Sequence, residues 1–222
     1  MSVSIHRLRA PFLANEAVTL PLDEAERAGM IRAATDVICE LFDVLQIDHH
    51  RDHNTRDTPK RVARMFVEEI LSGRFGEPPS ITEFENAEGF DQLLVTGPIE
   101  VRSTCAHHLM PIYGEAFIGV LPSADGKIIG LSKYDRIVGH FASRLQIQEE
   151  LVKQVGQFIV DKTQPRGLAV RISAVHMCKT HRGVRSSHRG RMVTSSYYGQ
   201  LDADPDLRRE FQQECIALSR DG

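Results

Sequence analysis

Three side chains of metal-ligand type, far apart in the sequence, place the strongest constraint on how this chain folds. Cys105 and His108 stand three positions apart, a spacing that a tight turn can close around one ion. Cys178 follows 73 positions later (178 − 105). Two thiolates and one imidazole suit zinc, and three protein ligands leave one coordination position for water, as in catalytic sites. A lone buried cysteine is usually a small core residue, but this grouping favours a zinc site that the fold must assemble.

Composition indicates a globular protein of a reducing compartment. The 222 residues, 41% hydrophobic and 26% charged, suffice for one core with an extension. The net charge of −3 argues against a general nucleic-acid binder. The cysteines at positions 39, 105, 178 and 215 show no paired framework, and the sequence shows neither a signal peptide nor a long apolar run. We therefore expect a cytoplasmic protein that spans no membrane.

Residues 1–91 are predicted to form an N-terminal arm and a helical extension. Positions 1–20 have an irregular pattern, and a helix is expected from Asp23, with apolar residues at three- and four-residue steps. These inward positions include Ile31, Ile38, Leu41 and Leu45, and Cys39 is expected in the same core.

Polar segments connect the elements of this extension. A solvated loop is the preferred interpretation of His49, His50 and His53, with a second metal site as the alternative. Thr58 and Pro59 begin a helix that Gly73 can end, and it carries Arg61 and Arg64 on one face. The default for such a pair is a solvated face, although two arginines held together can grip phosphate. Residues 74–91 resemble a connection between domains.

Residues 92–222 are predicted to form a second domain with a tail helix that Asp204-Pro205 caps. Its order is strand, strand, helix, helix, strand, strand, which indicates an α+β sheet with helices on one face. Ser132 is the expected N-cap of the first helix. His176 and Cys178 share one parity of a strand, so both are expected to face the metal. The edges of so small a sheet favour association with other copies.

Several separate motifs together resemble the GTP cyclohydrolase I family over roughly residues 20–218. They are Cys105-Ala106-His107-His108, the helix start Gly130-Leu131-Ser132-Lys133, the segment Arg144-Leu145-Gln146-Ile147-Gln148-Glu149, the pair His176-Met177-Cys178 and Arg182-Gly183-Val184, and Thr58-Pro59-Lys60-Arg61-Val62-Ala63. The resemblance implies the tunnelling fold, a ββααββ unit with an α-helical N-terminal extension. It also implies a toroidal homo-oligomer, a decamer of two pentamers, with active sites between subunits.

The resemblance further implies a zinc-dependent reaction on GTP. Zinc would sit on Cys105, His108 and Cys178, and hydrolysis would open the imidazole ring of GTP at C8. A second hydrolysis would release formate, and rearrangement would give 7,8-dihydroneopterin triphosphate. His107 and His176 match the family's catalytic histidines. Ser132 matches a residue at the ribose end of the pocket.

The remaining matches concern recognition of the nucleotide. Glu149 corresponds to the residue that reads guanine, since one carboxylate accepts hydrogen bonds from N1–H and the 2-amino group, and Gln148 beside it belongs to the same substrate-binding motif. The triphosphate would be bound by Lys133, Arg136 and Arg182, with Arg61 and Arg64 reaching in from a neighbouring subunit.

One departure from the family pattern supports an alternative function. Ala106 stands where the family has Glu, so a carboxylate next to the metal site is missing. The chain is therefore expected to turn over GTP slowly, and the alternative is a weakened homologue that stops at the ring-opened intermediate or acts as a zinc- and guanine-nucleotide-binding sensor.

Two further alternative functions carry less support. One is nucleic-acid binding through Arg182, Arg185, Arg189 and Arg191, which lack interleaved aromatic residues. The other is a thiol-dependent nitrile reductase of the same fold, which the zinc ligand set opposes.

Overall fold

The chain divides after Glu77 into two units, Met1–Glu77 and Pro78–Gly222. The computed structural model describes residues 13–18, 20–124 and 126–220, with Arg220 by its backbone alone. The division falls before the predicted boundary at 91/92. Residues 78–91 lie in the second unit, and within them a short strand, β1 (Glu83–Glu85), pairs antiparallel with Lys127–Ile129. The side chain of Asn86 also donates to the carbonyl oxygens of Phe90 and Ser123.

The first unit is helical. It contains α1 (Glu24–Val44), α2 (Thr58–Arg64), a π-helical segment (Met65–Ile70) and α3 (Ser72–Phe75). Asp23 begins α1 with a capping box, because its carboxylate accepts from the Glu26 N–H while the Glu26 carboxylate accepts from the Asp23 N–H.

Two details of this unit differ from the sequence prediction. No residue of α1 is buried, and the predicted inward residues Leu41 and Leu45 are 51% and 58% exposed. The small core consists of Leu22, Val67 and Phe75, and the predicted inward residue Ile31 of α1 packs against it, partly buried. The helix that begins at Thr58 follows Asp57 without a side-chain cap, and it passes into the π-helical segment before Gly73 is reached. The C-terminal part of the apolar stripe of α1, with Val37, Leu41 and Val44, is therefore left exposed within its own unit.

The second unit is a mixed α+β structure, as predicted. Its elements after β1 are β2 (Leu94–Cys105), β3 (Pro111–Leu121), β4 (Lys127–Ile129), α4 (Leu131–Ala142), β5 (Leu145–Gln146), α5 (Gln148–Thr163), β6 (Gly167–His176), α6 (Met177–Thr180), β7 (Met192–Gly199), α7 (Gln200–Ala203) and α8 (Pro205–Arg220). The four long strands and the helices α4 and α5 reproduce the predicted order. The sheet order is β5-β2-β3-β6-β7, antiparallel except for the short β2–β5 pair.

Helices cover both faces of this sheet. Side chains alternate between the two faces along each strand, and apolar side chains are buried on both. Ile118 and Val170 belong to the large core that includes the buried residues of α4 and α5. The neighbouring positions Phe117 and Ala169 belong to a second cluster with Phe211 of α8. The prediction of helices on one face therefore holds for α4 and α5, and the tail helix occupies the other face.

The N-termini of α4 and α8 test the two predicted N-caps. Gly130, not Ser132, is the N-cap residue of α4, and Ser132 lies in its first turn. The predicted cap of the tail helix is confirmed, because the Asp204 carboxylate accepts from the Asp206 N–H at 2.8 Å. Among the described helices, none is both long enough and apolar enough to cross a membrane.

Phe211 should anchor α8 to the sheet. It is fully buried, and an added Cβ on Gly119 would lie 2.5 Å from its ring, so strand and helix are closely packed. We expect Phe211→Ala to lower the free energy of unfolding by about 3–5 kcal/mol. Ile216→Ala, on an exposed part of the same helix, should change it little. Urea unfolding followed by circular dichroism makes the comparison, and equal losses in the two variants would contradict this packing.

Candidate active site

A tight hairpin loop positions Cys105 and His108. Thr104 pairs with Pro111 across β2 and β3, so the loop between the strands is short. The Cys105 N–H donates to the Met110 carbonyl, and the Leu109 N–H donates back to the Cys105 carbonyl at 2.9 Å. Leu109 adopts a positive φ of 52°, which reverses the chain. The loop therefore brings both predicted ligands to the same end of the sheet.

Cys178 reaches that end by a route that the sequence did not predict. The strand β6 ends at His176, and Cys178 lies in the helical turn α6, so the two residues do not share a strand face. The pairing of Ile112 with His176 places the start of α6 beside the β2–β3 loop. Burial and the neighbouring thiol of Cys105 raise the pKa of Cys178, and Arg182 opposes that shift.

The three predicted ligands come together as a group that fits zinc. One ligand atom from each of Cys105, His108 and Cys178 lies within 4.8 Å of the others. Cys105 is buried, Cys178 is partly buried and His108 is exposed, so the group is closed on one side and accessible on the other. Two sulfurs and one ring nitrogen are the donors that zinc prefers, and a fourth position stays available.

Gln148, the first residue of α5, fixes the orientation of His176. Its side chain is buried, and its Nε2 donates to the carbonyls of Ile172 and Met192 and to the Thr194 hydroxyl. Its Oε1 must therefore face the His176 Nε2, 2.7 Å away. Because that oxygen only accepts, Nε2 of His176 carries the hydrogen and Nδ1 is left with the lone pair.

Glu149 follows Gln148 in the first turn of α5 and is exposed. Burial lowers the pKa of His176, and the charge of Lys179 lowers it further. The Glu149 carboxylate raises this pKa, so Glu149 and Lys179 both lie close enough to His176 to act on its charge. The short strand β5 explains why α5 begins here. It pairs parallel to the end of β2, with Gln146 opposite Cys105. The start of α5 is thereby held at the same sheet end as the metal ligands.

The other predicted residues of this unit lie on neighbouring elements. His107 is exposed on the β2–β3 loop, with its ring edge-on to that of His108 at 6.3 Å between centroids. Ser132 and Arg136 are exposed near the start of α4, and the ammonium of Lys133 donates to the Ser80 carbonyl at 3.0 Å. Arg182 is exposed just after α6.

The predicted arginines of the first unit have acidic partners one turn away. Arg61 pairs with Asp57 at 3.4 Å, and Arg64 pairs with Glu68 at 3.0 Å. Both arginines are well exposed, and such surface pairs contribute little to stability. Both guanidinium groups are therefore accessible to an anionic ligand.

Gln146 has a structural role that the sequence does not predict. The residue is buried, its carbonyl accepts from the Ala106 N–H at 3.0 Å, and its side-chain amide donates to the Phe141 carbonyl. It thus ties the metal-ligand loop to the end of α4. The only available signal was its place in the Arg144–Glu149 motif, because a polar residue in a two-residue strand has no distinctive periodicity.

The fold and the grouped side chains define a mixed α+β protein with a cysteine–histidine group that could hold a metal ion. Comparison with known proteins gives the family: the model of GTP cyclohydrolase I matches residues 34–216. GTP cyclohydrolase 1 of Streptomyces avermitilis is 39% identical over 186 residues, covering 84% of this chain and 90% of that protein. GTP cyclohydrolase 1 of Shewanella denitrificans is 40% identical over 177 residues, covering 79% and 80%. The chain therefore belongs to the GTP cyclohydrolase I family of hydrolases.

A solved structure gives a weaker match. The archaeosine synthase QueF-Like in its apo form aligns with 54% of this chain and 96% of its own, at 15% identity and a TM-score of 0.35. A score this low adds nothing to the family assignment.

If Cys105, His108 and Cys178 hold zinc, substitution of one of them should lower the zinc content of the protein. Cys178→Ser should remove about one zinc per chain, because a hydroxyl replaces one of three ligands. Cys215→Ser is the matched control, since that thiol is buried on the other face of the sheet. Metal content is measured by mass spectrometry, with circular dichroism to check folding. A Cys178→Ser protein that keeps the wild-type zinc content would exclude Cys178 as a ligand.

Proposed function

We propose that this chain catalyses the hydrolytic opening of the GTP imidazole ring at C8, releasing formate and giving 7,8-dihydroneopterin triphosphate. The observation that carries the proposal is the convergence of three kinds of group at one sheet end. These are the Cys105–His108–Cys178 metal group, the oriented His176 and the Glu149 carboxylate. Membership of the GTP cyclohydrolase I family supports the same reaction.

Cys105, His108 and Cys178 would hold the zinc ion. Zinc bound by such a set supplies water of near-neutral pKa for hydrolysis. His176 is suited to move a proton, because Gln148 holds its Nε2–H and leaves Nδ1 free to accept. His107, exposed on the metal-ligand loop, provides a second imidazole for the proton transfers of ring opening and closure.

Glu149 is the proposed guanine reader. A carboxylate accepts from both N1–H and the 2-amino group, whereas adenine offers no such donor pair. The position of Glu149 in the first turn of α5 supports this role, because the helix start is fixed by the buried Gln148. We assign Gln148 to the orientation of His176, since its amide is engaged within the protein.

Cationic side chains on separate elements would bind the triphosphate. Lys133 and Arg136 lie near the start of α4, and Arg182 follows α6. We assign Arg61 and Arg64 to the site of a neighbouring subunit. Ser132, exposed in the first turn of α4, is assigned to the ribose end of the pocket.

A toroidal homo-oligomer, a decamer of two pentamers, is the proposed assembly. Among the described residues, β7 ends the sheet on one side, and on the other side β5 pairs with just Thr104 and Cys105 of β2. Within the described part of the chain, two long strands thus present unpaired edges of different sequence. Pairing β7 of one copy with β2 of the next is a head-to-tail contact, which gives a ring when the rotation between successive copies closes. The exposed apolar stripe of α1, which includes Val37, Leu41 and Val44, supports further contacts between copies.

Ala106 favours the second candidate function, a weakened homologue. Its N–H is bound to the Gln146 carbonyl, so its side chain starts beside the metal ligands. A methyl group there cannot move a proton or orient a ligand, and loss of such a group costs about 10²–10⁴-fold in rate. Because His107 and His176 remain, we expect slow turnover rather than binding alone.

Incubation with GTP distinguishes the two candidates. Formate and the pterin are quantified separately, the pterin by its fluorescence after oxidation and by mass spectrometry. Equal amounts of both products support the proposed reaction. Formate-free, ring-opened nucleotide would identify an enzyme that stops early, and nucleotide binding without any product would identify a sensor.

Substitution of Glu149 should reduce selectivity for guanine. In Glu149→Gln one acceptor is replaced by a donor that faces a donor of the base, so kcat/KM for GTP should fall about 10–100-fold, as for loss of a hydrogen bond to a charged group. Glu150→Gln, which alters the next carboxylate in the same turn, is the control and should change kcat/KM little. Wild-type kinetics in Glu149→Gln would remove this residue from the base pocket.

Mixing two inactive variants tests sites shared between subunits. Arg61→Ala lacks a triphosphate ligand and Cys178→Ser lacks a metal ligand, so each alone should be poorly active. After subunit exchange at equal amounts, roughly a quarter of the sites of a ring would combine intact residues from two neighbouring chains. Activity should therefore rise well above the mean of the two variants. Activity that equals this mean would place all ligands on one chain.

Restoring the family residue tests the role of Ala106. Ala106→Glu should raise turnover or shorten the lifetime of the ring-opened intermediate, because it returns a carboxylate beside the metal ligands. His181→Ala is measured in parallel, since His181 at the end of α6 follows Cys178 by three positions and offers an imidazole that could replace the missing carboxylate as a base. A neutral Ala106→Glu together with a costly His181→Ala would show that His181 has taken over the function.

A further inference from the structure

A second group of metal-ligand side chains lies in the first unit. Asp43 is in the last turn of α1, and His49 and His50 are in the loop after it. One ligand atom from each lies within 4.8 Å of the others. Gln46, with φ of 58°, turns the chain after the helix, and the Ile47 N–H donates to the Phe42 carbonyl at 2.9 Å. This turn folds the two histidines back onto the end of α1.

His49 does not behave as a residue of a solvated loop, so the sequence prediction is wrong for it. The residue is only 5% exposed, and its Nε2 has no hydrogen-bond partner among the described residues. A buried polar atom without a partner costs about 1–3 kcal/mol. The nearest acidic oxygen, Oδ1 of Asp43, is 3.4 Å from this nitrogen, beyond the usual hydrogen-bond range of about 2.7–3.2 Å.

The same separation fits two ligands of one metal ion. Zinc bonds to nitrogen and oxygen of about 2.0–2.2 Å, arranged tetrahedrally, place the ligand atoms about 3.3–3.6 Å apart. The His50 ring lies against the His49 ring, with 4.1 Å between centroids, so the second imidazole is available at the same place. Asp43 and His50 are exposed, which gives an ion access from solvent.

We propose that Asp43, His49 and His50 form a second metal site, separate from the cysteine-containing group, for a divalent cation of the zinc class. Two imidazoles and one carboxylate favour zinc over magnesium or calcium, which prefer oxygen ligands alone. The ion would satisfy the buried Nε2 of His49 and would join the end of α1 to the following loop. Water would complete its coordination.

Zinc counting in the full-length Cys178→Ser chain tests this site, because the cysteine-containing group is disabled in that background. We expect about one zinc per chain after equilibration, measured by mass spectrometry and by competition with a chromophoric chelator. Adding His49→Ala should remove it. Adding Asp43→Asn should raise the dissociation constant for zinc more than about tenfold. Even the mutation of residues that only hydrogen-bond to metal ligands lowers metal affinity about 10–100-fold.

His53→Ala is the matched control, because His53 lies in the same loop but outside the group and is highly exposed. It should leave the zinc count and the dissociation constant unchanged. Asp43→Asn changes an exposed side chain, so it tests the site even if His49→Ala does not fold. A background chain that binds no zinc, an unchanged affinity in Asp43→Asn, or loss of zinc in His53→Ala would each overturn the proposal. None of these results bears on the reaction with GTP, which is measured with Cys178 intact.

Discussion

The register of three neighbouring strands is the constraint on which the candidate active site depends. Thr104 pairs with Pro111 and Ile112 pairs with His176, so the end of β2, the start of β3 and the end of β6 lie at one edge of the sheet. Cys105 and Cys178, 73 residues apart (178 − 105), become neighbours only through this register. A slip of one residue would turn every side chain of the shifted strand to the opposite face of the sheet. The buried side chains that fix the register of β3 and β6 therefore stabilise the metal group as well as the core.

The same sheet end also joins the groups that would handle the base and the protons. The parallel pairing of β5 with β2 fixes where α5 begins, and Gln148 at that start is held by backbone carbonyls of β6 and β7. The orientation of His176 and the position of Glu149 follow from that single buried amide. A change at Gln148 is thus expected to disturb proton transfer and base recognition together, although the residue need not touch the nucleotide.

The sequence predicted well those features that local patterns determine. The close spacing of Cys105 and His108 and the order of the long strands and helices in the second unit were predicted and are observed. The parity of Cys178 continues that of β6 and predicts a strand position, but the chain turns at Met177, and residue periodicity does not indicate such a turn. The burial of His49 and the packing of Phe211 depend on tertiary contacts, which polar or apolar character alone does not fix. Amphipathicity placed Leu41 and Leu45 inward, yet both are exposed.

The most direct test of the proposed chemistry follows the carbon atom that the reaction removes. GTP labelled with ¹³C at C8 is incubated with the chain, and ¹³C nuclear magnetic resonance records the label over time. The proposed function predicts that the purine signal is replaced by formate, through a formamide signal that persists because Ala106 lacks a carboxylate. The same experiment with Cys178→Ser should leave the label in GTP. A label that stays in the purine ring with the wild-type, zinc-loaded chain would contradict the proposed reaction.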